Sequence, residues 1–381
     1  MSSIWDELTG QAEAIAAVRS AAAGEGLAHS WLITGPPGSG RSTLAYAFAT
    51  ELLARPDNLE QTAAQVAART HPDLSVLSTD AVIIKIDDVR RLVAASQFSP
   101  AVGRYRVMVI EDADRMTERT SNVLLKALEE PPARTVWILC APSEADLLPT
   151  IRSRVRTVRL RVPSVDDVAE LIARRDGVSL PEAQRAAREA QAHIGMAHRL
   201  ATDEQARARR RRTMELALGI RSVSGAVLAA AELLEVAGQD AKAITELQDT
   251  EEREQALRSL GVEPGGTVPP ALRAQLKALE EDQKRRATRS LRDGIDRILV
   301  DLLSLYRDIL LLQLGVDLEP VNLAIYGELT EAAAASTPAQ TLATLDAIAQ
   351  ARTRIEGNVA PALALEAMLV RAIRRAPVGA R

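Results

Sequence analysis

A glycine-rich turn lies between an apolar run and a helical one early in the chain, and few local patterns restrict a fold more. "SWLIT" (30–34) leads into "GPPGSGRST" (35–43), and "LAYAFATELLA" follows. That order and spacing describe a loop whose backbone N–H groups cradle phosphate at a helix N-terminus. Gly35, Gly38, Gly40, Ser42 and Thr43 fill the positions such a loop uses, and Ser42 is the expected magnesium ligand. The lysine position, however, holds Arg41. Lysine reaches a phosphate as a compact charge on a thin stem, whereas arginine is a planar fork. It salt-bridges phosphate from another distance or fills the pocket itself. Weak binding of ATP with magnesium and a loop kept only as a turn are both compatible with these residues.

The loop opens an alternating pattern. Strand candidates fall at 30–34, 73–77, 106–110, 135–140 and 156–160, with helical segments at 41–54, 87–96 and 117–129 between them. Strands alternating with helices predict a parallel sheet covered on both faces. After Pro163 the strand signals stop. Ser164 with Asp167, and Ser179 with Glu182, read as helix-starting capping boxes. The expected organisation is an α/β phosphate-loop domain over 1–162, a small helical domain over 163–202 and an all-α domain over 203–381. A charged stretch at about 236–290, centred on "EPGGTVPP", reads as two exposed helices joined by a mobile turn, or as partly disordered. Little core is expected to depend on it.

Composition removes several functions. Aromatic residues are 2% of 381, which argues against a stacking platform for single-stranded nucleic acid. A net charge of −4 with mixed signs argues against a polycation that coats DNA. Cys140 is the one cysteine, so an internal disulfide and a multi-thiolate zinc site are excluded. His71 stands before Pro72 without partners and reads as a turn residue. The N-terminus lacks signal-peptide features and no run is long enough to span a membrane, so a cytoplasmic protein is expected.

Two further stretches carry chemistry or imitate it. "RVMVIEDADRM" ends a strand on Glu111-Asp112. A magnesium contact followed by a water-orienting base would need Asp then Glu, so each side chain is wrong by one methylene. "RARRRR" (207–212) could touch phosphates, which need only cations. Asp203, Glu204 and Glu215 flank it, and a charged connecting helix is the competing reading.

"SNVLLKALEEPPARTVWILC" (121–140) resembles the segment after the second nucleotide-site strand in the bacterial clamp-loader ATPases, a branch of the AAA+ family. "IDDVRRLV" (86–93), "IRSRVR" (151–156) and "NVAPALALEAML" (358–369) resemble other parts of that family, with Val155 where it has cysteine. The resemblance covers most of 1–230 and 290–375. It implies an AAA+ module, a helical lid and a helical collar used for oligomerisation. It implies a pentameric ring with gamma/tau motor subunits and a delta subunit, which places a sliding clamp on primer-template DNA within the DNA polymerase III holoenzyme, a nucleotidyltransferase. It implies no membrane partner.

Within that family the departures point to a subunit without ATPase or polymerase activity of its own. Aligned on the Asn-Leu-Leu-Lys helix, Glu111 and Asp112 take the places of the catalytic Asp and Glu. The polar sensor position falls at Ala141–Pro142, and the lid arginine falls at His198, with Arg199 beside it. The family's cysteine cluster is missing, so zinc is expected to be absent. Arg154 is present, and the resemblance implies a finger reaching a neighbour's ATP, as a trans arginine can. Ser153, Lys126, Glu129 and Glu130 are the implied interface around it. An active motor ATPase and a scaffold without any role at an ATP site are the alternative readings.

Overall fold

All five residues of β1 (Ser30–Thr34) are buried. A strand without an exposed face belongs inside a sheet covered on both sides. The computed structural model, which describes residues 4–55, 57–79, 83–259 and 273–373, places it there. The sheet also contains β2 (Leu74–Leu77), β3 (Arg106–Ile110), β4 (Thr135–Ala141) and β5 (Arg156–Arg159), in the order β2-β3-β4-β1-β5. Every pairing is parallel, with Trp31 opposite Ile138 on one side and Arg156 on the other. The expected parallel α/β phosphate-loop sheet is therefore present.

Helices cover both faces. α1 (Ala12–Ala22), α2 (Arg41–Leu53) and α3 (Leu59–Ala67) accompany one, where Trp31 meets Phe48 edge to face in a core with Val107, Val109, Ile138 and Cys140. On the other, α4 (Ile86–Ser96), α5 (Glu118–Glu129) and α6 (Pro149–Arg152) lie over Leu32, Met108, Trp137 and Leu139. Alternation of side chains along each strand thus produces two separate cores. α3 has no counterpart among the helices expected from sequence. Its nine residues bury only Thr62 and Val66, too little for a clear periodic signal.

Two residues hold local geometry. Asp73 is fully buried and accepts backbone N–H groups from Ala101, Val102 and Gly103 at 2.6–2.7 Å. That ties the 97–105 loop to the start of β2. His71 is buried, and its Nδ1 accepts the Asp73 N–H at 3.1 Å. It is a turn residue, and burial pushes its imidazole below the ordinary value.

The chain divides into two compact units, Met1–Thr202 and Asp203–Arg381. The first ends in α7 (Val165–Asp176), α8 (Leu180–Glu189) and α9 (Ile194–Thr202). Both expected capping boxes are formed, Ser164 with Asp167 and Ser179 with Glu182. These helices bury Val168, Ile172, Ala186 and Leu200 together.

The second unit consists, among the described residues, of helices: α10 (Glu204–Gly219), α11 (Val223–Ser259), α12 (Arg273–Leu314), α13 (Tyr326–Ala334), α14 (Pro338–Glu356) and α15 (Pro361–Arg371). Leu233, Leu302, Leu305, Leu329 and Leu365 form its centre. The charged stretch differs from expectation at its first end. Val236, Ala237 and Ala241 are buried, and Asp240 accepts from Arg209 at 3.1 Å and Arg297 at 2.8 Å. Alanine is small enough to pack helices closely yet adds little to an apolar count, which concealed this base. The centre of the stretch, 263–270, lies outside the described residues. No described helix is long and apolar enough to cross a membrane.

Candidate phosphate-loop site and the Ser153–Arg154 edge

The loop runs from the buried end of β1 into α2. Gly40 caps the helix with φ +92, a conformation that glycine adopts without strain. Gly38 has φ +79, and a Cβ there would lie 2.4 Å from Cγ of His193. The imidazole is thus seated directly on the loop. Its Nδ1 also accepts the Met196 N–H at 3.2 Å, within the first turn of α9.

Arg41 folds back over its own loop, where its Nη1 donates to the Gly35 carbonyl oxygen. Gly35 N–H in turn donates to Pro142 O at 3.2 Å. The end of β4 therefore meets the loop through backbone, and Ala141–Pro142 brings no polar side chain there. Ser39 Oγ is buried without a partner and lies beside Gly35. Ser42 and Thr43 are half-buried in the first turn of α2.

Burial pushes the Cys140 thiol up to about 12, while the charges of Arg41, Glu111 and Asp112 all act on it. Those three residues therefore lie near Cys140 on β4. Their side chains have protein partners. Glu111 accepts from Tyr46 Oη and from Arg69 Nη2, the latter at 2.8 Å. The Arg69 guanidinium also stands 5.5 Å from the Tyr46 ring centroid. Burial and the Glu111 hydrogen bond raise the Tyr46 pKa, so it remains a neutral donor. Asp112 lies 4.0 Å from Arg115. Burial, with repulsion from Asp112, raises the Asp114 carboxyl above its ordinary value. A magnesium–nucleoside triphosphate complex needs a free cation in the cradle and a free carboxylate pair beyond it. Arg41 and Glu111 are each committed to protein partners, so the residues do not fit that complex.

His198, the residue aligned with the lid arginine, is engaged with α7. Its Nδ1 lies 2.8 Å from Asp176 Oδ2. Burial opposes ionisation of Asp176, but hydrogen bonds from Arg175 and His198 overcome it and hold the carboxyl low. His193 is the neighbour of the loop that sequence reasoning missed. It precedes α9 by one residue, where sequence gives a histidine no capping signal comparable to that of Ser, Thr, Asp or Asn.

Arg154 follows α6 and lies at the end of α5. Its Nε donates to Glu129 Oε1 at 2.6 Å, and Nη2 contacts the same oxygen. Nη1 donates to Thr150 O at 2.7 Å and Ser153 Oγ at 3.1 Å. Ser153 and Glu129 are thus brought to Arg154, while Lys126 and Glu130 are exposed elsewhere on the same helix end.

The basic run is answered by acids of its own unit. Arg209 meets Asp203 and Asp240, and Arg210 meets Asp301 at 3.0 Å and Asn322 at 2.6 Å. Arg211 pairs with Glu215, and Arg212 with Glu215 and Glu232. Behind Arg210, fully buried Asp308 accepts Asn322 N and Nδ2, both at 2.8 Å. These engagements favour the connecting-helix reading over DNA contact. Among the described residues no cluster of three or more His, Cys, Asp or Glu is placed to hold a metal ion.

Several known proteins are similar to this chain. The family model "DNA polymerase III, delta subunit" matches residues 10–164. DNA polymerase III subunit delta' of Pseudomonas aeruginosa is 35% identical over 179 residues, 45% of this chain and 51% of that protein. DNA polymerase III subunit gamma/tau of Mycobacterium bovis is 29% identical over 187 residues, 46% of this chain and 32% of that protein. The chain thus spans about half the length of the first relative and a third of the second. A solved gamma subunit-related protein of Thermotoga maritima has 18% identity and a TM-score of 0.45, covering 94% of this chain and 98% of its own. With the parallel sheet, the phosphate loop and the "SNVLLKALEEPP" helix in place, the sheet-bearing part of the chain is similar to the delta' and gamma/tau subunits of DNA polymerase III.

Proposed function

We propose that this protein is a non-hydrolysing stator of a replicative clamp loader and supplies Arg154 to the ATP site of a neighbouring motor subunit. The observation that carries the reading is a contrast between two sites on one unit. The phosphate loop is closed by Arg41 and His193, and its carboxylate Glu111 is taken by Tyr46 and Arg69. Arg154, by comparison, is held at a surface edge with 31% of its side chain exposed. A chain that cannot use its own site and still presents a guanidinium at an edge is suited to act in trans.

In this reading the 1–162 sheet domain bears the edge, 163–202 is the lid and 203–381 is the collar that joins the ring. The neighbours are gamma/tau motor subunits and a delta subunit, and the ring sets a sliding clamp on primer-template DNA in the cytoplasm. Neither ATPase nor polymerase activity comes from this chain alone. The test is DNA- and clamp-stimulated ATPase of reconstituted rings carrying wild-type or Arg154→Ala protein. Turnover should fall at the adjacent site, with assembly unchanged. Equal turnover with equal assembly would overturn the trans role and leave a scaffold. Turnover by the isolated chain that Ser42→Ala abolishes would instead identify a motor.

A further inference from the structure

Arginine has four rotatable side-chain bonds, and an unsupported one at a surface edge samples many positions. Arg154 is not unsupported. A guanidinium carries five N–H donors in a fixed plane. Glu129 Oε1 takes contacts from Nε and Nη2, while Thr150 O and Ser153 Oγ take them from Nη1. With one acceptor per N–H, one Nη2 donor is left over. The plane of the fork is thereby fixed by three residues from two elements, the end of α5 and the turn after α6.

We infer that Glu129 is a positioning residue for Arg154, orienting the guanidinium so that its remaining Nη2 N–H faces an anionic group of a bound neighbour, such as a nucleotide phosphate. This rests on the trans reading above. Thr150 and Ser153 lie within four residues of Arg154 and can follow any movement of its turn. Glu129, twenty-five residues away on another helix, sets the fork relative to the sheet unit. Its contacts with Arg154 use Oε1, so one carboxylate oxygen takes both N–H groups on the Nε edge. The negative charge lies behind the guanidinium relative to its free edge, farther from an incoming anion than the cation is. Attraction at the free edge therefore survives the pairing. Preorganisation of this kind raises turnover more than ground-state affinity, because a donor that need not reorient stabilises charge as it develops.

The experiment has two arms. In the isolated full chain, the Arg154 Nε–H resonance is assigned by its loss in Arg154→Lys. It should exchange slowly with water in wild type, fast in Glu129→Ala and at an intermediate rate in Glu129→Gln. In rings where the motor site beside this subunit is the competent one, Glu129→Ala should lower kcat about 10-fold, since small misplacements of a catalytic group cost that much or more. The KM for ATP should stay nearly constant. Glu129→Gln should recover part of the rate, and adding Glu129→Ala to Arg154→Ala should cost nothing further. If Arg154→Ala slows the ring and Glu129→Ala does not, positioning is wrong and the trans arginine stands. If Arg154→Ala itself is without effect, both proposals fall. Fast exchange of Arg154 Nε–H in wild type would also overturn the inference, whatever the rings do.

Discussion

The contact between Gly38 and His193 can be tested by a double-mutant cycle. Gly38→Ala introduces two separable costs. The first is backbone strain, because φ +79 places an alanine in the left-handed region. That costs about 1–2 kcal/mol. The second is steric. The new Cβ would lie 2.4 Å from His193 Cγ, whereas carbon atoms settle at about 3.5 Å or more, so the ring must retreat by roughly 1 Å. Overpacking of this size costs about 1–3 kcal/mol. The ring is not free to retreat cheaply, since its Nδ1 accepts the Met196 N–H. Gly38→Ala should therefore destabilise by ~3 kcal/mol in all. His193→Ala should cost ~1 kcal/mol through the lost cap. In the His193→Ala background only the backbone strain of Gly38→Ala remains.

The two substitutions should consequently be non-additive, with a coupling of about 1–3 kcal/mol in favour of the double variant. The assay is urea unfolding followed by tryptophan fluorescence. Trp5, Trp31 and Trp137 are the chain's three tryptophans, and all lie in the first unit. The signal therefore reports that unit even if the second unfolds separately. Additivity to within about 0.5 kcal/mol would show that the imidazole does not rest on Gly38 in solution and that the loop is open.

Acid should expose the role of Asp73: backbone N–H groups outweigh the opposing burial and hold its pKa below the ordinary value, so its contribution is present above about pH 4 and lost as pH falls through the folded value. Asp73→Asn should cost roughly 3 kcal/mol at neutral pH and flatten the acid limb of the unfolding profile; an unchanged limb would refute this. Arg210→Ala should lower the melting temperature of the second unit by several degrees by calorimetry, because it strips partners from Asp301 and Asn322, while Arg211→Ala should leave it within error. Excising 236–290 should leave insoluble protein, since Val236, Ala237 and Ala241 go with it, and a soluble cooperative product would refute that. Purified protein should carry no stoichiometric zinc by elemental analysis after dialysis, as only Cys140 is available and it is buried.

Much of the fold was legible because its signals are local. The β1 and β3 ranges expected from their apolar runs coincide with the strands, and both capping boxes formed where Ser164 and Ser179 announced them. Such signals depend on residues a few positions apart. At the candidate site, Arg41, Glu111 and Asp112 lie near enough to Cys140 for their charges to act on its thiol. The site's engagement was not legible. The Arg69–Glu111 contact spans 42 residues, and His193 reaches Gly38 across the length of the sheet domain. No periodicity or motif encodes a contact between one arginine and one carboxylate so far apart in the chain.

Under the proposed stator reading, that difference bears on how a nucleotide site loses its chemistry. Read from sequence, Arg41 and the Glu111-Asp112 order are defects, each removing a correctly placed group. In the structure they are contacts. Arg41 satisfies the Gly35 carbonyl, and Glu111 joins Tyr46 on α2 to Arg69 beyond α3. A group that has acquired structural partners cannot be restored by one substitution. Arg41→Lys would leave Gly35 O without its partner and His193 still seated on the loop. Exchanging Glu111 for Asp would shorten the reach to Tyr46 and Arg69 together. On that reading each step back toward catalysis costs stability before it yields turnover, which is the physical argument for the proposal that this loop serves as part of a rigid frame.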